Sequence, residues 1–93
     1  MAVLLTEEEI TQKFRGADGW SRRDAEITRT LKFTDFKEAM RFVNRVADLA
    51  ENANHHPDID IRWNKVLLRL STHSKGGLTD LDFELAAEIN RCA

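Results

Sequence analysis

The chain has 93 residues, enough for one domain with one hydrophobic core, and 42% of them are hydrophobic. Its 16 acidic and 14 basic residues leave a net charge of −2 with no basic block. That balance argues against nucleic acid as a partner and gives no reason to place the chain on a membrane. The opening "MAVLLTEEEI" turns acidic too early for a secretory signal, and no apolar run approaches membrane-spanning length. Cys92 is the only cysteine and has no intramolecular partner, so a reducing cytoplasm is the simplest location. A chain this small also gains stability readily by self-association.

The first helix follows Thr6, which with Glu9 forms a capping box, while Glu7 and Glu8 suit the positive end of the helix dipole. Ile10 and Phe14 face inward at helical spacing, and Gly16 ends the element. In "DAEITRTLKF" the residues alternate. Ile27, Leu31 and Phe33 share a face with Arg29 between them, which predicts a strand covered on one side, and "GWSRR" supplies a partner strand through a tight turn.

The longest periodic segment runs from Thr34 to His56, with Asp35 and Glu38 as a second possible capping box. Phe36, Met40, Val43, Ala47 and Ala50 form one apolar row, and Ala39, Phe42, Val46 and Leu49 form the next. The stripe is wider than one sheet face needs. A broad core stripe and a contact with another subunit both account for it. Beyond it, "DIRWNKVLLRLSTH" reads as strand, with Ile59, Ile61 and Trp63 on one face and Val66, Leu68 and Leu70 on another. A turn or bulge is expected at Asn64-Lys65. After "SKGGL" a third helix begins near Thr79, with Leu78, Leu81, Leu85 and Ile89 at helical spacing. This order predicts an α+β domain with helices on one face of an antiparallel sheet.

Two of the three histidines, His55 and His56, stand together before the only proline, Pro57. Pro57 disfavours helix at His56, so both imidazoles leave a helix terminus, where they can point toward one cavity. Glu51 lies four residues before His55 and can orient it if the helix persists. His73 follows a strand, just before two glycines, where sites are commonly built. Three such imidazoles offer proton donors and acceptors near neutral pH. Zinc is the other use of three histidines, but no HxH, HExxH or cysteine pair accompanies them. A polar helix exit and a strand end are the plain alternatives.

The pattern Glu51, His55-His56-Pro57, Trp63, His73 and Asp82 resembles the signature of the pterin-4a-carbinolamine dehydratases. "GW" at 19–20, "RVADLAENANHHP", "WNKVLLRLSTH" and "GLTDLDFELA" extend the resemblance along nearly the whole chain. It implies a four-stranded antiparallel sheet with three helices on one side. It also implies a homodimer or homotetramer assembled through the sheet edge and the long helix at 35–54. The implied reaction dehydrates 4a-hydroxytetrahydropterin to quinonoid dihydropterin, in support of aromatic amino-acid hydroxylases, with no metal or redox cofactor. His55, His56 and His73 become the catalytic and substrate-contacting histidines, with His55 and His73 moving protons and His56 binding the substrate or acting on an alternative substrate stereoisomer. Glu51, Pro57, Trp63, Ser71, Thr72 and Asp82 become the further substrate-site positions. Trp63 could border the pterin, but a tryptophan alternating with Ile59 and Ile61 is more often core; Asp82 could be a helix cap, and the cap is the reading favoured for it. Some relatives instead serve as partners of other proteins, which makes a non-catalytic binding or assembly role on the same scaffold the alternative function.

Overall fold

The computed structural model describes residues 2–93. Helix α1 spans Glu7–Lys13, strands β1 and β2 span Ser21–Arg23 and Glu26–Lys32, and helix α2 spans Phe36–Ala53. Strands β3 (Asp58–Arg62) and β4 (Lys65–Leu70) follow, then helix α3, Asp80–Cys92. The sheet is antiparallel throughout, in the order β1-β2-β4-β3.

Alternation explains why the sheet is covered on one side. Ile27 and Leu31 of β2, with Val66, Leu68 and Leu70 of β4, are buried against α2 and α3. The intervening Thr30, Lys32 and Lys65 stay exposed. Arg29 shares the covered face and is half-buried, with its guanidinium on Asn90 Oδ1 of α3. Asn90 also accepts from Trp20 Nε1 at 2.9 Å and donates to the Asp18 carbonyl at 3.0 Å. Gly19, at φ +85°, has Arg29 Nε 2.9 Å from where a Cβ would stand, so only glycine fits this crossing.

The two apolar rows of α2 do not divide row by row, since Ala50 of the first is buried and Val43 of the first and Leu49 of the second are both half-buried against the core. Ala39, Phe42, Val46 and Ala50 are buried, whereas Phe36 is 51% exposed and Ala47 is also exposed. Asp35 caps α2 by accepting from the Glu38 amide at 2.9 Å; the Glu38 side chain turns to Arg41 instead of closing the box. Both expected boxes at Thr6–Glu9 and Thr79–Asp82 are closed. Arg22 of β1 donates to the Glu7 carboxylate through both terminal nitrogens, and this holds the Glu7 carboxyl below the usual range. Stability from this pair exists above the unfolded carboxylate pKa and is lost as pH falls through the lowered one. The pair is solvent-exposed, so the effect is small.

The strand-like segment 58–70 is a hairpin with Trp63-Asn64 as its turn, one residue earlier than the sequence suggests. Trp63 takes φ +53° at the apex and is 68% exposed. It is therefore not core, and β3, lying at the sheet edge, leaves Ile59 exposed too. Asn64 is buried in its place, donating to the Phe33 carbonyl at 2.9 Å.

The contrast between buried Phe42 and exposed Phe36 gives a direct test by urea unfolding. Phe42→Ala should cost about 3–5 kcal/mol, the range for large-to-small changes in a core. Phe36→Ala should cost well under about 1 kcal/mol at micromolar protein concentration. Equal losses would mean that Phe36 is core as well.

Candidate active site

The sheet topology brings the three histidines to one end of the molecule. Asp58 of β3 pairs with Arg69 of β4, so the residues before β3 lie beside the residues after β4. His55 and His56 arrive from the end of α2, and His73 arrives from β4. Together with Asn54, Ser71 and Thr72 they line a shallow cavity of about 290 Å³.

Helix α2 stops earlier than Pro57 requires. Asn54 adopts a left-handed conformation at φ 50°, with its amide on the Glu51 carbonyl. The His55 amide reaches back to the Ala50 carbonyl at 3.1 Å. These two bonds make a Schellman ending, for which asparagine is the usual substitute for glycine. The reversal turns the His55 side chain inward, where only 10% of it remains exposed. His55 Nε2 lies 2.6 Å from Asp82 Oδ1.

Asp82 is fully buried on α3 and its oxygens are all used. Its Oδ2 accepts from Thr72 Oγ1 at 2.8 Å and from the Thr79 amide at 2.9 Å. Because the Thr72 hydroxyl donates to Asp82, the hydroxyl hydrogen between the threonines, 2.7 Å apart, comes from Thr79. Asp82 is thus the helix cap that the sequence suggests and also the partner of His55, which the sequence assigns to Glu51. With Asp82 as acceptor, Nε2 carries the hydrogen and a neutral ring keeps its lone pair on Nδ1.

Glu51 instead meets His56, whose Nε2 lies 2.5 Å from Glu51 Oε2 in an exposed pair. Local spacing explains the difference. The left-handed Asn54 breaks the i,i+4 relation that would place Glu51 over His55.

His73 opens a single 3₁₀ turn, His73–Lys75, rather than ending a strand. The turn is closed by the Thr72 amide on the Gly77 carbonyl at 2.9 Å and by Gly76 at φ +74°. Thr72 therefore anchors both this turn and Asp82, and His73 projects from the rigid base with its ring in solvent. Ser71 donates to the Ala25 carbonyl at 2.7 Å.

Four of the expected positions do not line the cavity: Asp82 is buried behind His55, Glu51 stands beyond His56, and Pro57 and Trp63 lie outside it. Pro57 is half-buried beside it without lining it. Trp63 sits beyond the other end of β3, about 20 Å along the strand from Pro57 at roughly 3.3 Å per residue. Within this chain it does not border the histidines. Thr79 is the contributor that sequence reading named only as a helix start. Its hydroxyl completes the polar chain behind His55, and its place in a capping box was the available signal.

Chemically, the arrangement offers one buried imidazole fixed by a carboxyl group, one exposed imidazole with a carboxylate beside it, and one imidazole facing solvent. Such a set can donate protons to, and accept them from, a molecule bound in the cavity.

Residues 3–92 match the family described as pterin 4 alpha carbinolamine dehydratase. A provisionally named pterin-4-alpha-carbinolamine dehydratase of Roseiflexus castenholzii is 53% identical over 90 residues, covering 97% of each chain. Its counterpart in Sulfurisphaera tokodaii is 49% identical over 86 residues, covering 92% of each. Among solved structures, a transcriptional coactivator/pterin dehydratase from Brucella melitensis superposes with a TM-score of 0.94 at 39% identity, covering 98% of this chain and 99% of that one. A pterin dehydratase-like RuBisCO assembly factor of the alpha-carboxysome shares the fold, with a TM-score of 0.65 at 18% identity over 77% of this chain and 83% of that one.

The pairing of the histidines is open to direct measurement by NMR of the imidazole rings. Glu51→Gln should move the His56 resonances and leave His55 in place, and Asp82→Asn should do the reverse. Asp82→Ala should also lower the unfolding free energy by about 2–4 kcal/mol, because Thr72, Thr79 and His55 all lose a buried partner.

Proposed function

This chain belongs to the pterin 4 alpha carbinolamine dehydratase family, and from that membership we propose that it dehydrates a 4a-hydroxytetrahydropterin by histidine acid–base catalysis. The observation that carries the proposal is the convergence of His55, His56 and His73 on one cavity, with His55 fixed by buried Asp82.

In the reaction the bond from C4a to its hydroxyl oxygen breaks and a double bond forms to the adjacent ring nitrogen. The oxygen leaves as water after receiving a proton, and the ring nitrogen loses one. The product is quinonoid dihydropterin, with no change in oxidation state, so the chemistry calls for proton carriers rather than a redox group. His55, oriented through Nε2, presents Nδ1 as the base for the ring-nitrogen proton. His73, free in solvent at the cavity edge, delivers a proton to the leaving oxygen. His56, held by Glu51, binds the ring. Asp82 positions His55 and does not touch substrate. The physiological setting that fits is return of spent pterin to aromatic amino-acid hydroxylases, in the cytoplasm.

Assembly into a homodimer or homotetramer fits the surfaces left open. Phe36 on α2 and Ile59 on the edge strand β3 are the apolar groups that such contacts would cover. A binding or assembly role on the same scaffold has less support, resting on likeness of fold to a protein 18% identical.

The deciding measurement follows dehydration of enzymatically generated 4a-hydroxytetrahydropterin by absorbance against the spontaneous rate. Wild type should accelerate it. His55→Ala and His73→Ala should each lose about 10²-fold or more in kcat, the usual contribution of a positioned acid or base. His56→Ala should raise KM more than it lowers kcat. A folded wild type that leaves the spontaneous rate unchanged would sink the enzyme reading.

A further inference from the structure

Two of the three site imidazoles have an orienting partner and the third does not. His55 is held by Asp82 and His56 by Glu51, whereas the His73 ring faces solvent and makes no hydrogen bond among the described residues. Its placement therefore depends on the backbone of the loop at 71–78. Two sides of that loop are tied to the fold, by the Thr72 hydroxyl on Asp82 and the Ser71 hydroxyl on the Ala25 carbonyl. The third side is held by the N-terminal segment. The Leu5 amide donates to the Leu78 carbonyl at 2.9 Å. A Leu4 methyl lies over Gly77, 2.9 Å from where a Cβ would stand, so this approach depends on the bare glycine backbone.

The segment can act as a brace because its own end is fixed. Thr6 and Glu9 close the capping box of α1. Ile10 is buried in the core, and Phe14, just past the helix, packs edge-on to Phe83 of α3 with ring centroids 5.3 Å apart. Glu7 takes both terminal nitrogens of Arg22, and Lys13 Nζ lies 3.0 Å from Asp80 Oδ1. Leu4 and Leu5 are thus presented from a rigid start. With Gly77 and Leu78 they line a cavity of about 230 Å³ that opens between the loop and the β1–β2 turn. Leu4 is 50% exposed, so hydrophobic burial is a weak reason for a leucine there. Its contact is better placed than buried. The Thr72 amide bonds to the Gly77 carbonyl, which bridges Gly77 to the residue just before His73. A side chain resting on Gly77 therefore restrains His73 through a single bridge.

We propose that the N-terminal segment at 3–5 is a strap that positions His73, with Leu4 on Gly77 as its working contact. Leu4 acts through the Gly77–Thr72 bridge and does not touch substrate, which makes it a positioning residue. The inference rests on the dehydratase reading, in which His73 delivers a proton to the leaving oxygen.

The test applies the dehydration assay to Leu4→Ala, Leu4→Met and Gly77→Ala, and to Leu4→Ala combined with His73→Ala. Enzyme concentration is raised until the residual rate of the combined variant stands above the spontaneous one. Circular dichroism and thermal unfolding establish that the variants are folded. Leu4→Ala should lower kcat about three- to tenfold and leave KM within about twofold, as loss of alignment without loss of binding does. Gly77→Ala should do the same, because its Cβ pushes the flexible end of Leu4 aside rather than moving backbone. Leu4→Met, which keeps an apolar side chain on Gly77, should restore most of kcat. Adding Leu4→Ala to His73→Ala should cost nothing further, since the strap acts through that imidazole. NMR of the rings should show His73 moved by Leu4→Ala and His55 left in place. Equal losses with and without the His73 imidazole would reduce the strap to a general support and overturn the proposal. So would a wild-type kcat in Leu4→Ala, a change confined to KM, or His73 resonances that stay where they are. Absence of acceleration by folded wild type would overturn the dehydratase reading and the catalytic role of the strap with it, while the His73 resonances would still report whether Leu4 braces the loop.

Discussion

The structure around the histidines depends on one buried carboxyl group. Asp82 begins helix α3 by accepting the Thr79 amide, holds the base of the His73 turn through the Thr72 hydroxyl, and fixes the His55 ring. Three chain segments distant in sequence are joined at two oxygen atoms. A buried carboxyl without such partners would be strongly unfavourable. An apolar residue in its place would strand the threonine hydroxyls and a helix-terminal amide. The network is therefore stable as a whole and poor in any part, which makes it a source of definite geometry. Stability and positioning of the site are carried by the same atoms.

The sheet decides which surfaces the site can use. Antiparallel pairing puts the start of β3, the end of β4 and the β1–β2 turn at one end, and the β3–β4 turn with Trp63 at the other. Helices cover one face only, so α2 must run along the sheet and deliver its C-terminal end to the histidine cavity. Its other long side carries Phe36 and Ala47 into solvent. The histidine cavity, the exposed side of α2 at Phe36 and Ala47, and the β3 edge are therefore three separate surfaces. Contacts with further copies of the chain can form on the last two without closing the first.

Much of this was legible in the sequence because it depends on short-range rules. The Thr6–Glu9 and Thr79–Asp82 boxes mark helix starts within four residues, and alternation from Ile27 to Leu31 marks a one-sided strand. The failures share a cause. Glu51 looked like the partner of His55 because four residues make one helical turn, but the left-handed Asn54 ends that periodicity just before it matters. Trp63 looked like a continuation of Ile59 and Ile61 because alternation cannot show where a hairpin turns. The turn falls on a tryptophan in a conformation that such residues rarely adopt, with Asn64 taking the buried place and bonding to Phe33. Arg29 interrupts an apolar face for a reason 61 residues away, on Asn90. Local patterns located the elements, and contacts between distant elements chose the partners.

The same contrast bears on why both a cap and a histidine partner fall on one residue. A capping aspartate needs only its own helix and would serve equally on the surface, with modest benefit. Asp82 is instead fully buried, beside a histidine 27 positions away that is itself nearly buried. Burying that pair costs solvation that a simple cap would not incur. That cost is offset only because Asp82 also satisfies Thr72 and the Thr79 amide, which an apolar residue would leave unpaired. The arrangement places the imidazole at the cavity wall. Its Nε2 is held on Asp82, and the cost is shared by a helix start that the fold requires in any case.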